Sequence, residues 1–317
     1  MKNLFKIKII IALLALTFFA ISCDDYNKPM PDNTITGIAK TNTNLSILVQ
    51  ALVKTNLATT LQGAGSYTVF APTDAAFVAF LKTTPYATLN EVPTNVLTQI
   101  LLNHVVSEMK MSTDLMTGYV KTLATSPTSG ANTMSMYVNT ASGVKLNGVA
   151  MVTIKDIMAS NGVIHIVDKV IGLPTIVTHA TANDNFKSLV GALTSAGQPN
   201  FVSILSGMGP YTVMAPTNDA FAALNIELAP GGIATVSPAN LTKVLQYHVA
   251  NGNVLAASLR EGQKIATLQT PQEYTIELMG GAKIRDARNR ISTIVATDVQ
   301  CSNGVIHAIN RVLLPTF

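Results

Sequence analysis

The five histidines offer the widest range of chemistry in this sequence, because a neutral imidazole can transfer protons or bind metal ions. Four of them form two pairs with nearly the same separation: His104 lies 144 residues before His248, and His165 lies 142 residues before His307. Such pairing could indicate a hydrolytic or ligand-binding site in each of two repeated units. However, each histidine shares a helical stripe or strand face with apolar residues, which favours a structural role at the margin of a core.

Other residues give no pattern that indicates an enzyme. Cys301 stands where the other copy of the repeat has Ala159, so we interpret it as a packed residue and not as a nucleophile. The sequence contains no His-Glu-X-X-His, no cysteine pair at ligand spacing and no Gly-X-Ser-X-Gly. We therefore predict no catalytic residue, no metal site and no cofactor.

The paired histidines belong to a long internal repeat. The segment Tyr67–Phe77 recurs as Tyr211–Phe221 with eight of eleven positions identical, and Asn161–His165 recurs as Asn303–His307. A unit of this length can bury its own core, so each copy is expected to be a domain. We predict a signal peptide, a tether, a first domain, a linker and a second domain at 1–22, 23–35, 36–174, 175–179 and 180–316.

The repeated segments predict the same elements in each copy. Tyr67 to Ala71 alternates as a strand, Pro72 ends it, and Thr73 is placed to cap the following helix. Amphipathic helices come early in each copy, whereas the last part reads as a hairpin with an Asn-Gly turn. This order predicts a mixed α+β fold in which the later part of each domain is rich in strands.

The N-terminal segment predicts a lipid anchor. A basic start and a short apolar run from Ile9 to Ile21 are typical of a secretory signal and are too short for a membrane-spanning helix. Ala20-Ile21-Ser22-Cys23 resembles a bacterial lipobox, so Cys23 is the predicted lipid-attachment residue and mature N-terminus. Several acyl chains hold a protein on a bilayer where one would be marginal. We expect a location at the outer membrane or cell surface, with a periplasm-facing arrangement as the alternative.

Composition and charge exclude several classes of protein. The chain has 317 residues, of which 48% are hydrophobic and 12% are charged, so it can fold around a substantial core. The formal net charge is +4, but three lysines lie in the leader, which leaves 18 basic residues against 17 acidic ones. Nucleic acid is therefore not an expected partner, because its binding depends on neutralising many phosphates.

Three motifs in the same order in both copies resemble the fasciclin domain family. They are the Tyr-Thr-Val-X-Ala-Pro-Thr corner, the His-Val segment after an amphipathic helix, and the Asn-Gly-Val-Ile-His strand that leads to Leu-Pro. The resemblance implies two tandem domains, each a β-rich wedge of about seven strands with several helices. It also implies a secreted or membrane-anchored adhesion protein. In animal members a Tyr-His pair is implicated in integrin contact, and Tyr247-His248 matches that pair, whereas Asn103-His104 does not.

Candidate ligand-binding residues follow from position and charge. Tyr247 lies just off its helical stripe, so we expect it to be exposed beside His248, with His104 as the corresponding residue of the first copy. Arg285 and Arg288 lie in a basic stretch around a hairpin tip, where they could contact an anionic polysaccharide. The leading hypothesis is a non-enzymatic, lipid-anchored adhesion protein with a protein or polysaccharide ligand. The alternatives are a polysaccharide-binding accessory lipoprotein and a hydrolase that uses the repeated histidines.

Overall fold

The computed structural model describes residues 32–317. The predicted signal peptide (1–22), Cys23 and most of the predicted tether (23–35) lie outside the described residues. Within the described range, no helix is both long enough and apolar enough to cross a bilayer.

The first domain begins with helices and ends with strands. Its helices are α1 (Ile35–Thr41), α2 (Ser46–Lys54), α3 (Leu57–Thr60), α4 (Asp74–Leu81) and α5 (Thr94–Leu102). Its strands are β1 (Tyr67–Pro72), β2 (Val105–Val106), β3 (Gly118–Lys121), β4 (Ser135–Asn139), β5 (Lys145–Leu146), β6 (Ala150–Ala159) and β7 (Gly162–Val167).

The second domain repeats this order. Its helices are α6 (Ile176–Ala182), α7 (Lys187–Leu193), α8 (Phe201–Ser206), α9 (Asn218–Glu227) and α10 (Pro238–Tyr247). Its strands are β8 (Tyr211–Pro216), β9 (Val249–Asn251), β10 (Lys264–Ala266), β11 (Glu273–Glu277), β12 (Lys283–Arg285), β13 (Ile291–Cys301) and β14 (Gly304–Ile309). Short 3-10 helices in the two domains include Leu89–Glu91 and Gly232–Thr235.

Each domain contains one seven-stranded sheet, and the two sheets have the same topology. The order is β2-β1-β7-β6-β5-β4-β3 in the first and β9-β8-β14-β13-β12-β11-β10 in the second. The final strand pairs in parallel with the first, so that Tyr67 lies opposite Gly162 and Tyr211 opposite Gly304. The other neighbours are antiparallel. The predicted mixed fold of two tandem, seven-stranded domains is confirmed.

The repeated corner folds as its residues predict. Proline is the last residue of β1 and of β8. The threonine that follows it has an extended backbone and is the N-cap of the next helix. The Thr73 hydroxyl accepts a hydrogen bond from the Ala76 amide at 3.2 Å, and Thr217 accepts one from Ala220 at 3.3 Å. Each cap satisfies an amide that the first helical turn leaves unpaired.

A buried asparagine ties the end of each domain to its beginning. The Asn161 side-chain oxygen accepts a hydrogen bond from the Ile35 amide at 2.9 Å, and its nitrogen donates to the carbonyls of Leu61 and Gly63, both at 2.8 Å. Asn303 makes the corresponding three bonds in the second domain. The asparagine of the repeated Asn-Gly pair therefore joins the hairpin to two helical segments distant in the chain.

Each domain buries two hydrophobic clusters. One lies between the helices and the sheet and includes Leu48 and Phe77 in the first domain. The other lies among the strands and the helix C-terminus, and includes Tyr247 and Tyr274 in the second domain. The second cluster covers the side of α10 that faces away from the helical layer. Candidate residues on that side, such as Tyr247, are therefore buried.

Residues 175–179, which we predicted as a linker, form the N-cap and the first turn of α6. Thr175 accepts a hydrogen bond from the Thr178 amide at 3.2 Å, while the Thr178 hydroxyl accepts one from the Thr175 amide at 3.1 Å. This reciprocal pair is a capping box made by two threonines instead of the usual Ser/Thr and Glu/Gln. Helix α6 thus begins two residues after Pro174 and corresponds to α1 of the first domain.

Candidate ligand-binding residues and the contact between the domains

His104 and His248 lie at the C-terminal ends of α5 and α10, where both are buried. The Nδ1 atom of His248 lies 2.7 Å from the carbonyl of Val244, and its Nε2 accepts a hydrogen bond from the Leu313 amide at 2.9 Å. His104 makes the same two kinds of contact in the first domain. One nitrogen faces a carbonyl and the other an amide, so the ring is neutral with its proton on Nδ1. Burial lowers the pKa of each ring to about 4.

The cavities beside these histidines are small and apolar. The cavity at His104 measures about 10 Å³ and the one at His248 about 40 Å³. Apolar cavities of this size stay dry or hold one small apolar group, and they do not accommodate a polar substrate. With both nitrogens bonded within the fold, His104 and His248 have no group left for catalysis or for ligand contact.

His165 and His307 are also held on both ring nitrogens. The Nε2 atom of His165 lies 2.9 Å from the Lys110 carbonyl, and Nδ1 accepts a hydrogen bond from the Asp156 amide at 3.2 Å. His307 has the same pair of contacts, with the carbonyl of Val254 and the amide of Asp298. These rings hold the loop that follows β2, or β9 in the second domain, against the bulge in the hairpin strand, which is a structural role.

The expectation that Tyr247 is exposed is wrong. Its side chain is fully buried, with the hydroxyl donating to the Glu273 carbonyl at 2.7 Å and accepting from the Ala287 amide at 3.0 Å. Its ring makes an edge contact with Tyr274, at 6.2 Å between centroids. The helical stripe correctly marks the face of α10 that contacts the helical layer, but β10–β12 cover the opposite face. A surface ligand therefore cannot reach the Tyr247-His248 pair in this fold.

The basic hairpin has the predicted form, and its arginines are engaged within the domain. Arg285 pairs with Glu277 on the neighbouring strand. Arg288 donates to the Pro315 carbonyl at 3.1 Å and lies over the ring of Phe317. These contacts use charge and hydrogen-bonding capacity that a bound anion would need.

Cys301 is fully buried at the end of β13, and burial raises the pKa of its thiol. It therefore has the environment of a packed residue and not that of a reactive thiolate. Among residues 32–317, no group of three or more His, Cys, Asp or Glu side chains is arranged to hold a metal ion.

An open groove of about 460 Å³ lies on the second domain between α7, α9 and α10. Its walls include the apolar side chains of Phe221 and Leu241 and the polar side chains of Ser195, Gln198 and Asn225. Its volume is within the range of ligand-binding pockets. The candidate residues chosen from the sequence do not line it.

A model of the fasciclin domain matches this chain twice, at residues 43–174 and 184–315. The chain belongs to the fasciclin family. Fasciclin domains are typically adhesion-related. The two matched segments coincide with the two seven-stranded units described above.

Several known proteins are similar to parts of this fasciclin pair. The protein sll1483 of Synechocystis is 38% identical over 143 residues, which cover 44% of this chain and 73% of that protein. Transforming growth factor-beta-induced protein ig-h3 of Sus scrofa is 29% identical over 269 residues, which cover 80% of this chain and 35% of that protein. Human periostin is 27% identical over 263 residues, with 80% and 29% covered. The chain thus matches only a minor part of these two animal proteins.

The fold is also similar to a solved fasciclin domain pair, from the insect cell adhesion molecule Fasciclin I. The TM-score is 0.55 at 17% identity, over 86% of this chain and 98% of that one. At this level of identity the similarity establishes the tandem fold.

The two fasciclin domains contact each other through β3 and β4 of the first and α6 and β13 of the second. Tyr119 packs against the helical core of the second domain and accepts a hydrogen bond from the Asn183 side chain at 3.1 Å. The Gln300 amide donates to the Ser135 hydroxyl at 3.0 Å, and Lys121 donates to the Asp298 carbonyl at 2.8 Å. These polar bonds surround an aromatic centre, as in stable interfaces between subunits.

The centre of this contact is His179, the one histidine that has no partner in the repeat. Its ring is fully buried and lies edge-on to Tyr119 at 5.3 Å between centroids. Backbone groups of Ser135 and Gln300 lie close enough to affect its pKa, but neither ring nitrogen has a partner in hydrogen-bonding geometry. Burial lowers its pKa to about 3.

Sequence reasoning from the repeat did not identify His179. The first domain has Ile38 at the corresponding position of α1, and that residue is only half-buried. The mismatch between the copies was the available signal, because an apolar residue in one copy corresponds to an ionisable residue in the other, at the end of the predicted linker. It marks a surface of the second domain that the first domain covers.

Proposed function

We propose that this protein is a lipid-anchored adhesion protein of the cell envelope, and that its two fasciclin domains act as one ligand-binding body. The proposal is supported most by the contact at Tyr119 and His179, which holds the two copies together and so fixes the spacing of any two binding surfaces. The adhesion role of the insect Fasciclin I pair supports it by analogy of fold.

The anchor in this proposal is Cys23. The lipobox-like sequence before it and the polar segment after it would place the domains a short distance from the membrane. Two modest contacts on one anchored chain reinforce each other through effective concentration, provided that both reach the ligand. Anchoring multiplies this effect, because many chains on one cell surface meet the same partner surface.

We propose no enzymatic activity. All four repeated histidines use both ring nitrogens within the fold, which removes the basis for the hydrolase alternative. We favour a protein ligand over a polysaccharide because Arg285 and Arg288 already have partners within the second domain. A panel of soluble anionic glycans would bind this protein if that preference is wrong.

Two experiments test the anchor and the adhesion separately. Metabolic labelling with a fatty acid should mark the wild-type chain and leave Cys23→Ala unlabelled; an unlabelled wild-type chain would refute the anchor. Cells lacking the protein should attach weakly to a partner-cell layer, and the wild-type gene should restore attachment. Full restoration by Cys23→Ala, with the chain in the medium, would show that adhesion does not depend on the anchor.

A further inference from the structure

In the first domain, three backbone carbonyls hold the ammonium group of Lys54. Lys54 is the last residue of α2, and its Nζ donates to the carbonyls of Leu89, Asn90 and Val92 at 3.0, 2.8 and 2.7 Å. These carbonyls belong to a short 3-10 helix and the turn that follows it. An ammonium group has three donors and no acceptor, so this set of carbonyls uses its full capacity.

The second domain repeats the three carbonyl positions but not the lysine. Lys54 corresponds to Ser195, because Leu52 of α2 corresponds to Leu193 of α7. The Ser195 hydroxyl donates to the carbonyl of Ala192 at 2.9 Å, within its own helix end. It is therefore directed back to α7 and is too short to cross the groove.

The carbonyls that correspond to the Lys54 site are those of Ile233, Ala234 and Val236, and all three residues line the open groove. The end of the turn is the same in both domains: the Val236 amide donates to the Ile233 carbonyl at 3.0 Å, as the Val92 amide does to Leu89 at 3.3 Å. In the described part of the chain, no side chain donates to the carbonyls of Ala234 and Val236. The three carbonyls thus belong to residues that line a groove open to solvent.

Gln198 and Asn225 do not replace the missing ammonium either. Gln198 donates to the Pro238 carbonyl at 3.0 Å, at the start of α10. The Asn225 side-chain oxygen accepts a hydrogen bond from the Ile233 amide at 2.8 Å. Among the residues lining the groove there is no lysine or arginine.

We propose that this groove binds a lysine side chain from a partner protein. The ammonium would take the place that Lys54 fills in the first domain, on the carbonyls of Ile233, Ala234 and Val236. The methylene groups would lie along the apolar wall at Phe221 and Leu241. A planar guanidinium matches three converging acceptors less well, and an anion would be repelled by them. This inference rests on the proposed adhesion function in one respect only, namely that the lysine comes from a partner protein.

A titration with matched ligands tests the site directly. The intact chain, labelled with ¹⁵N, is titrated with N-acetyl-lysine methylamide and with N-acetyl-norleucine methylamide, which lacks the ammonium. We expect saturable shifts of the amide signals of Ile233, Ala234 and Val236 with the lysine compound. The norleucine compound should bind at least about tenfold more weakly, the equivalent of one hydrogen bond to a charged group. Equal responses to both compounds would overturn the proposal.

Two exchanges between the domains serve as matched variants. Ser195→Lys supplies an internal ammonium and should abolish the response at residues 233–236. Lys54→Ser should open the first domain and create a new response at Leu89, Asn90 and Val92. If Ser195→Lys does not fold, Ser195→Met fills the groove without charge and should also block binding. Unchanged lysine binding in the folded groove-filling variant would refute the site, whatever the cell-attachment experiment shows about adhesion.

Discussion

The two domains differ little at the buried polar residues that hold each fold together and more at Lys54 and Ser195 and at the contact between the domains. Asn161 and Asn303 make three corresponding bonds, each within its own domain. His104 and His248 likewise each bridge a carbonyl and an amide at corresponding positions. In contrast, Lys54 fills a site that Ser195 leaves open. A duplicated domain can change its surface freely, but a change at a buried polar position leaves several groups without partners.

The contact between the domains follows the same rule. Ile38 of α1 is half-buried on the surface of the first domain, whereas His179 of α6 is covered by Tyr119 and the neighbouring strands. The second domain therefore has an ionisable group in a buried interface. Its burial makes that group a source of acid sensitivity that the first domain lacks at the corresponding position.

The largest effect should come from the buried asparagines. Asn303→Ala leaves the Ile176 amide and the carbonyls of Leu205 and Gly207 without partners, so we expect a loss of about 3 kcal/mol or more in the free energy of unfolding. Asn161→Ala should cost as much in the first domain. Urea denaturation measures both, and Asn310→Ala, which removes one exposed bond, should cost less than about 1 kcal/mol. A large difference between the stability losses caused by Asn161→Ala and Asn303→Ala would show that the two asparagines do not stabilise their domains equally.

The next effect concerns His179 and pH. The ordinary pKa of 6.5 falls to about 3 in the folded chain, so below 6.5 the unfolded state binds protons that the folded state excludes. Stability should fall as the pH decreases from about 6.5 toward 3. For this residue alone, the loss between pH 7 and pH 5 should be about 2 kcal/mol.

His179→Ile places the residue type of the first domain in the interface. It should remove the loss of stability that His179 causes between pH 7 and pH 5. It should also stabilise the protein at pH 7, because two buried nitrogens without partners disappear. Unfolding free energies at pH 7 and pH 5 provide the measurement. Ile38→His is the matched control and should add a smaller pH dependence, since its site is half-buried. An unchanged pH dependence in His179→Ile would contradict the burial of this ring.

A smaller effect is expected at Tyr247. Tyr247→Phe keeps the packed ring but removes the hydroxyl that bridges the Glu273 carbonyl and the Ala287 amide. We expect a loss of about 1–2 kcal/mol in stability and no change in attachment of cells. The opposite result, full stability with lost attachment, would restore Tyr247 as a contact residue.

The smallest effect should come from Arg285. Its pair with Glu277 is on the surface, where such pairs contribute about 0–1 kcal/mol. Arg285→Ala should therefore leave the thermal midpoint almost unchanged. A clear loss of binding to an anionic polysaccharide in this variant would favour the carbohydrate hypothesis.

The repeat made much of the fold predictable from sequence. Two copies of one corner place Pro72 and Pro216 at strand ends and Thr73 and Thr217 at helix caps, and local chemistry is enough to explain these positions. Helical periodicity also located α5 and α10 and their terminal histidines. It did not predict the burial of Tyr247, because β10–β12 cover that residue from more distant parts of the chain.

The open groove and the domain contact required the structure. An alignment of the two copies shows that Ser195 replaces Lys54, but it does not show which carbonyls Lys54 binds. The residues that surround His179 lie on β3, β4 and β13, and their positions depend on how the two domains pack. The sequence differences between the copies thus mark the positions at which the domains diverge, and the contacts in the fold define what each difference does.

The most direct test compares the attachment of cells that display equal amounts of the wild-type chain, Ser195→Lys or Lys54→Ser. We expect Ser195→Lys to reduce attachment to that of cells without the protein, because its groove is filled from within. Lys54→Ser should keep at least wild-type attachment, since it opens an additional site in the first domain and leaves the groove of the second domain unchanged. Attachment at wild-type strength by correctly folded Ser195→Lys would contradict the central claim that the open groove of the second domain binds the partner.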